Sequence, residues 1–378
     1  MNNQTDSTID LQISAFPAQV ESALRDAGLS AADFMALKSL FGRYSLGLQL
    51  GLRVSNYKSI ESEPVRLADD AATASPANCI SLEDSEEAYF HSMEELLPDV
   101  KARLMELSIN RSEVTGITTG FHALDELTTG MNPGELIVVA GCPSVGKTTF
   151  ALNTIEHIAL EIGLPVMFFS MAMSATQVAT RIVSSGAGVI QQRIRTGRLT
   201  PSDWERLNKA MSNLAASPIH VDASSALNIS DLCRRARRLW QRYMGLGLIV
   251  VDNLQLLSAS QSGVISASEV GEISRALKAL AKELRVAIVL ISELKRPPVE
   301  RETKRSTLVD LCEYGAIEKH ADVIMLLCRS QEFMQDSSMR GKAEIVVAKQ
   351  RNGPPGLVRL VFNSQYARFE NGGKVWAG

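Results

Sequence analysis

The sequence predicts an α/β protein with a mostly parallel central sheet flanked by helices, preceded by a small helical N-terminal region. Three observations predict it. From about Gly116, apolar runs of four to six residues alternate with longer stretches of helical spacing. Those runs are apolar throughout, as strands are when both faces of a sheet are covered. A glycine-bearing loop also joins the first run to a helical stretch.

Composition narrows the class. The chain has 378 residues, 45% hydrophobic and 21% charged, which excludes a wholly disordered protein. Its length suits two domains, or one large domain with an appendage. Lys and Arg total 39 against 42 Asp and Glu, a net charge of −3 that excludes a globally basic nucleic-acid coat but not a local basic groove. No apolar stretch is long enough to cross a membrane, so no membrane partner is expected. The start, MNNQTDSTID, lacks a basic-then-apolar leader pattern. Cys79, Cys142, Cys233, Cys312 and Cys328 are scattered and form no CxxC pair, which fits reduced thiols and a cytoplasmic location.

Residues 1–65 carry two stretches of helical spacing, one through Phe16, Val20, Leu24 and Leu29 and one through Phe34, Leu37, Leu40 and Phe41. They read as a small helical appendage or as a poorly ordered tail with transient helices. Residues 66–85, rich in Ala, Ser and Asp, read as a linker. Over 86–110, Phe90, Met93, Leu97, Val100, Leu104 and Leu107 form an apolar stripe that needs cover, from this chain or from a neighbour. Pro98 would kink this helix or start a second one.

Residues 111–378 form the main domain. Its predicted strands are Leu136–Ala140, Val166–Phe169, Leu248–Val251, Ala287–Ile291, Val323–Leu327, Ile345–Ala348 and Leu357–Phe362. The turn-rich KQRNGPPG joins the last two as an antiparallel hairpin at the sheet edge.

The strongest signal is Gly141-Cys142-Pro143-Ser144-Val145-Gly146-Lys147-Thr148, a match to G-x-x-x-x-G-K-[ST]. It follows a predicted strand and opens a helical pattern over Thr149–Glu161, the context such a loop requires. Its glycines permit a tight turn whose backbone N–H groups surround phosphates. Lys147 supplies charge to the β- and γ-phosphates, and the Thr148 hydroxyl is a ligand for Mg²⁺. Asp252, ending the run Leu248–Val251, is the acidic residue that would hold the metal through water. ATP and Mg²⁺ are therefore the expected ligands, with Gly141, Pro143, Ser144, Val145, Gly146, Lys147, Thr148 and Thr149 around them. Arg234, Arg235, Arg237, Arg238 and Arg242 spread around more than half of one helix and read as a solvated face. His91, His122, His157, His220 and His320 show no metal spacing.

Separated blocks in one order carry a resemblance that a lone phosphate loop would not. They are TGITTGFHALDELTTGMNPGELIVVAG, PSVGKTTFALN, QQRIRTGRLT, GLGLIVVDNLQLL, EISRALKALAKEL, DLCEYGAIEKHADVIML and VAKQRNGPPGLVRLVFN. From about Glu86 to Asn371 the chain resembles the DnaB-like hexameric replicative DNA helicases, in their RecA-like motor domain. The resemblance implies a RecA-like P-loop NTPase that hydrolyses ATP to move along single-stranded DNA and unwind duplex during DNA replication. It implies a homo-oligomer, a ring of six with ATP between neighbours, and a primase or helicase loader as further partner. Lys349 and Arg351 match residues that reach a neighbour's nucleotide, Arg351 as arginine finger. Arg181 lies on a segment that approaches phosphates. The DNA loops would lie around Glu313 and Gly315 and at residues 258–268. The stripe at 86–110 matches the family's linker helix, which packs on the adjacent subunit. The family's N-terminal collar is not recognisable in residues 1–85.

The chain departs from that pattern in three places. Ala172, in Ser170-Met171-Ala172-Met173, stands where the family has a Glu that activates water. Glu293 follows Ser292 where a Gln is usual, and Cys312 replaces the Arg of an Asp-Leu-Arg-Glu segment. Glu293 is therefore a candidate to take over the lost base, beside Lys147, Asp252 and Arg351 as catalytic residues. The competing expectation is a ring subunit or accessory partner that binds ATP but hydrolyses it poorly.

Overall fold

The computed structural model describes residues 91–110, 114–225, 227–257, 266–294, 315–329 and 341–372. The expected helices of residues 1–65, the linker 66–85, Glu313 and the stretch 258–265 lie outside the described residues. Contacts divide the chain into Met1–Ser112 and Glu113–Gly378.

In the first unit, helix α1 spans Met93–Asn110. Ser92 accepts from the Glu95 N–H, and Glu94 and Glu95 place negative charge at the helix's positive end. The helix runs on through Pro98 as one element, so the expected second start is not seen. Leu97, Val100 and Leu104 of the stripe are exposed.

In the second unit, the elements run α2 (His122–Thr128), β1 (Leu136–Gly141), α3 (Lys147–His157), β2 (Val166–Ser170), α4 (Ala175–Ala187), α5 (Gln191–Thr196), α6 (Pro201–Ala215) and β3 (Ile219–Asp222). There follow α7 (Ile229–Tyr243), β4 (Leu248–Asp252), α8 (Ala267–Leu284), β5 (Ala287–Glu293), α9 (Gly315–His320), β6 (Val323–Cys328), β7 (Lys342–Gln350), β8 (Gly356–Asn363) and β9 (Arg368–Asn371). Among the described residues they build a nine-stranded sheet in the order β3-β2-β4-β5-β1-β6-β7-β8-β9. Strands β3 through β6 in that order are parallel, and β7, β8 and β9 are antiparallel additions.

The all-apolar runs behave as buried parallel strands must. Ile137 and Val139 of β1 face one core, with Phe150 and Ile155 of α3. Leu136, Val138 and Ala140 face the other, with Ile273 and Leu277 of α8. Each fully buried Ile or Leu contributes roughly 2 kcal/mol by leaving water. Every predicted strand is present.

Two strands were not expected, β3 (IHVD) and β9 (RFEN), which are short, partly polar and at the two edges. The expected hairpin exists as β7–β8 but is not the sheet edge. The chain turns once more at Ala367, with φ +48°, and β9 covers β8 because Phe369 buries against Phe150. The helical pattern over Thr149–Glu161 is also divided. Helix α3 ends at His157 and a π-helical turn, Ile158–Ile162, runs on to Gly163 in the left-handed region.

Candidate functional site

The parallel strands end at one side of the sheet, which is where open α/β sheets place their ligand crevices. Register brings Gly141 at the end of β1 opposite Glu293 at the end of β5. It brings Ser170 at the end of β2 opposite Asp252 at the end of β4. The loop that leaves Gly141 turns through Ser144 (φ +65°) and Gly146 (φ +109°), conformations that suit a close wrap of backbone. The positive φ favours glycine at 146, and a Cβ there would also press on the Phe369 ring at 3.0 Å. Pro143 and Ser144 are exposed at the loop tip, while Val145 and Thr149 are buried beneath it.

Lys147, the first residue of α3, donates to the Gly141 and Cys142 carbonyls at 2.8 and 2.9 Å, so its ammonium lies across the mouth of its own loop. Burial lowers its pKa, and the nearby Glu293 and Asp252 charges oppose that shift. The Thr148 hydroxyl donates to Asp252 Oδ2 at 2.7 Å. Burial raises the Asp252 pKa; the Thr148 hydrogen bond and the charges of Lys147 and Arg181 pull it back, and Glu293 adds to the rise. Arg181, on α4, is thus electrostatically coupled to the same carboxylate as Lys147.

Thr148 and Asp252 offer adjacent oxygen donors, which suit a hard cation such as Mg²⁺. Among the described residues no group of three or more His, Cys, Asp and Glu gathers around a metal position. That donor set fits an ion that keeps waters and phosphate oxygens rather than one caged by protein.

Residues that the sequence did not single out hold this arrangement. Gln255, just after β4, donates to Ser292 Oγ at 3.2 Å and to the Glu293 carbonyl at 3.1 Å, and accepts from the Glu293 N–H at 3.1 Å. Arg329, after β6, donates to the Val145 carbonyl at 3.3 Å and stacks over the Phe362 ring at 3.8 Å, and its burial lowers its pKa. Both contacts join segments far apart in the chain. At the tip of β2, Met171 is buried and Ala172 is exposed.

Lys349 and Arg351 are not brought to this loop. Arg351 N donates to the Asp322 carbonyl, and Asp322 bonds Leu136, where β1 begins; the phosphate-type loop leaves β1 at its other end, Gly141. At about 3.3 Å per residue those ends are roughly 17 Å apart. Lys349 donates to the Glu318 and Ala321 carbonyls, and Arg351 to the Lys319 carbonyl at 2.7 Å, so both cap the end of α9. Gly315, expected at a DNA loop, opens that same helix and is exposed. Of the arginine cluster on α7, Arg234, Arg235 and Arg237 are paired with Asp231, Asp222 and Glu283 at 2.6, 2.6 and 2.7 Å.

A family model described as the DnaB-like helicase C terminal domain matches residues 116–371. The chain belongs to that family. A replicative DNA helicase DnaB from Pasteurella multocida (strain Pm70) is 44% identical over 273 residues, 72% of this chain and 58% of its own length. The protein of that name from Haemophilus influenzae is 41% identical over 315 residues, 82% of this chain and 65% of its own. The chain thus spans about six-tenths of the length of the DnaB relatives it matches.

Solved structures agree with this family. A DnaB-like replicative helicase, solved with attention to its interactions with primase, superposes with a TM-score of 0.67 at 29% identity, covering 75% of this chain and 67% of its own. An isolated ATPase domain of known structure gives 0.70 at 28% identity, over 75% of this chain and 99% of that one. The DnaB-like match contains the loop, Asp252, Glu293, Lys349 and Arg351 within one domain. Among the described residues no helix is long and apolar enough to cross a membrane.

Proposed function

We propose that the protein is an ATP-hydrolysing DNA helicase of the DnaB-like type, translocating on single-stranded DNA during replication. Its ATP lies against the loop Gly141–Thr148, with loop N–H groups on the phosphates. Lys147 exchanges its two loop carbonyls for the β- and γ-phosphate oxygens. Thr148, with Asp252 behind it, holds Mg²⁺, which when bound neutralises charge on the phosphates. Arg181 adds positive charge on the Asp252 side. The observation that carries this reading is the 2.7 Å bond from Thr148 to Asp252 beside the Lys147 ammonium, in a chain of this family.

Lys349 and Arg351 serve the nucleotide of a neighbouring copy, since they sit at the far end of the sheet from their own loop. The assembly is a homo-oligomer, a ring of six, with α1 covering its exposed stripe on the adjacent subunit as linker helix. The domains are 1–65, the linker 66–85, the linker helix 86–110 and the motor 111–378. Single-stranded DNA passes the segments at Glu313 and Gly315. A primase or a helicase loader docks on the ring, and the protein works in the cytoplasm.

One observation favours a second reading, an ATP-holding ring subunit that turns over poorly: Ala172 at the β2 tip cannot accept a proton. ATP turnover and unwinding of a forked duplex, in wild type and Lys147→Ala with single-stranded DNA present, separate the two. A motor gives turnover well above the Lys147→Ala floor, together with strand separation. A holding subunit sits at that floor and gains turnover in Ala172→Glu.

A further inference from the structure

We propose that Glu293 is the general base of this ATPase, taking a proton from the water that attacks the γ-phosphate. The inference rests on the ATP-hydrolysing reading above and assigns its base. Register seats Glu293 opposite Gly141, the residue where β1 becomes the loop, and the Leu294 N–H donates to the Gly141 carbonyl at 3.0 Å. Gln255 grips the Glu293 backbone on both sides, at N–H and C=O, while Ser292 beneath it is fully buried. The main chain is therefore pinned and the side chain is the part left to act. Among the described residues no hydrogen-bond donor is spent on its carboxylate. It is half-buried, with its charge coupled to Lys147 and Asp252.

Among the described residues, the other candidates near the loop are engaged or inert. Asp252 receives the Thr148 hydroxyl, and the Ser170 hydroxyl donates to the Met173 carbonyl at 3.0 Å. The tip of β2 offers Met171, Ala172 and Met173, none of which takes a proton. A carboxylate beside the γ-phosphate is repelled by it, and the Lys147 ammonium, whose charge is coupled to Glu293, offsets that repulsion.

The step balances with water as the only co-reactant. Water gives one proton to the Glu293 carboxylate as its oxygen bonds to the γ-phosphorus. The bond from that phosphorus to the bridging oxygen breaks, and its electron pair leaves with ADP. The carboxylic acid then returns its proton to solvent.

The test uses the full chain with single-stranded DNA and measures single-turnover ATP hydrolysis, affinity for a non-hydrolysable ATP analogue, and melting temperature. Glu293→Gln keeps the shape and removes the base. Hydrolysis should fall by about 10² or more, with the melting temperature unchanged and analogue affinity equal or tighter. Adding Ala172→Glu to that variant should recover about tenfold, because a carboxylate is returned to the β2 tip. Hydrolysis within about twofold of wild type in Glu293→Gln overturns the assignment. So does a fall matched by lost analogue binding, which would make Glu293 a binding residue. Failure of the underlying ATPase reading is recognisable separately, as wild type itself at the Lys147→Ala floor.

Discussion

The Thr148 hydroxyl and the Asp252 carboxylate, from the loop after β1 and the end of β4, meet at 2.7 Å. Neither strand is adjacent to the other in the sheet; β5 lies between them. The bond fixes the distance across β5 at the point where a metal would bridge to phosphate. Its value is therefore in metal affinity. Asp252→Asn keeps a hydrogen-bond partner for Thr148 and loses the charge. The magnesium concentration giving half-maximal ATP turnover should rise about 10–100-fold, with nucleotide affinity in EDTA unchanged. A magnesium titration that overlays wild type would refute the role given to Asp252.

Acid stability should carry the signature of Asp203. This carboxylate caps α6 through the Thr200 N–H at 3.0 Å and meets Arg206 and Arg193 at 2.6 and 3.2 Å. The Thr200 hydrogen bonds, and then those arginines, lower its pKa from 3.8 to about 2. A depressed folded pKa means stability that is fully present above the unfolded value and is lost as pH falls through the folded one. The stability difference between wild type and Asp203→Asn, by urea unfolding, should be flat above about pH 5 and shrink between about pH 4 and 2. A constant difference across that range would contradict the assignment.

Asp322 ties the start of the loop-bearing strand to two cations. It accepts from the Leu136 N–H at 2.8 Å and from Lys278 at 2.6 Å, with Arg351 Nε at 3.6 Å. Asp322→Ala strands the buried Leu136 N–H and leaves the Lys278 ammonium with only the Gly134 carbonyl, at 2.8 Å. Denaturant unfolding should show a loss of about 2–3 kcal/mol. A loss below about 0.5 kcal/mol would show that water replaces the carboxylate freely.

Much of this was legible in the sequence because its signals are local. A run such as Leu136–Gly141 has no exposed face to assign, so its apolar composition alone marks a strand buried on both sides. The loop Gly141–Thr148 declares its chemistry through residue types at fixed spacing. What was not legible depends on distant pairing. Strands β3 and β9 are four residues each, and β9 exists because Phe369 finds Phe150 and Gly146. Gln255 and Arg329 act through partners 37 and 184 positions away, and nothing in their neighbourhoods announces that. Pro98 misled in the other direction, since its local breaking tendency is absorbed within α1.

The placement of Lys349 and Arg351, also set by pairing rather than motif, gives the account its central claim: the nucleotide pocket is completed by a second copy. Mixing tests it most directly. Lys147→Ala removes the loop ammonium but keeps Arg351, the proposed finger, and Arg351→Ala is the reverse; each alone should be near the turnover floor. In a ring with head-to-tail contacts, an equal mixture assembled together rebuilds about one quarter of its interfaces with both parts intact, and turnover should return to about that fraction of wild type. A mixture that stays at the floor at every ratio, with both variants incorporated in the same assemblies, would contradict the claim.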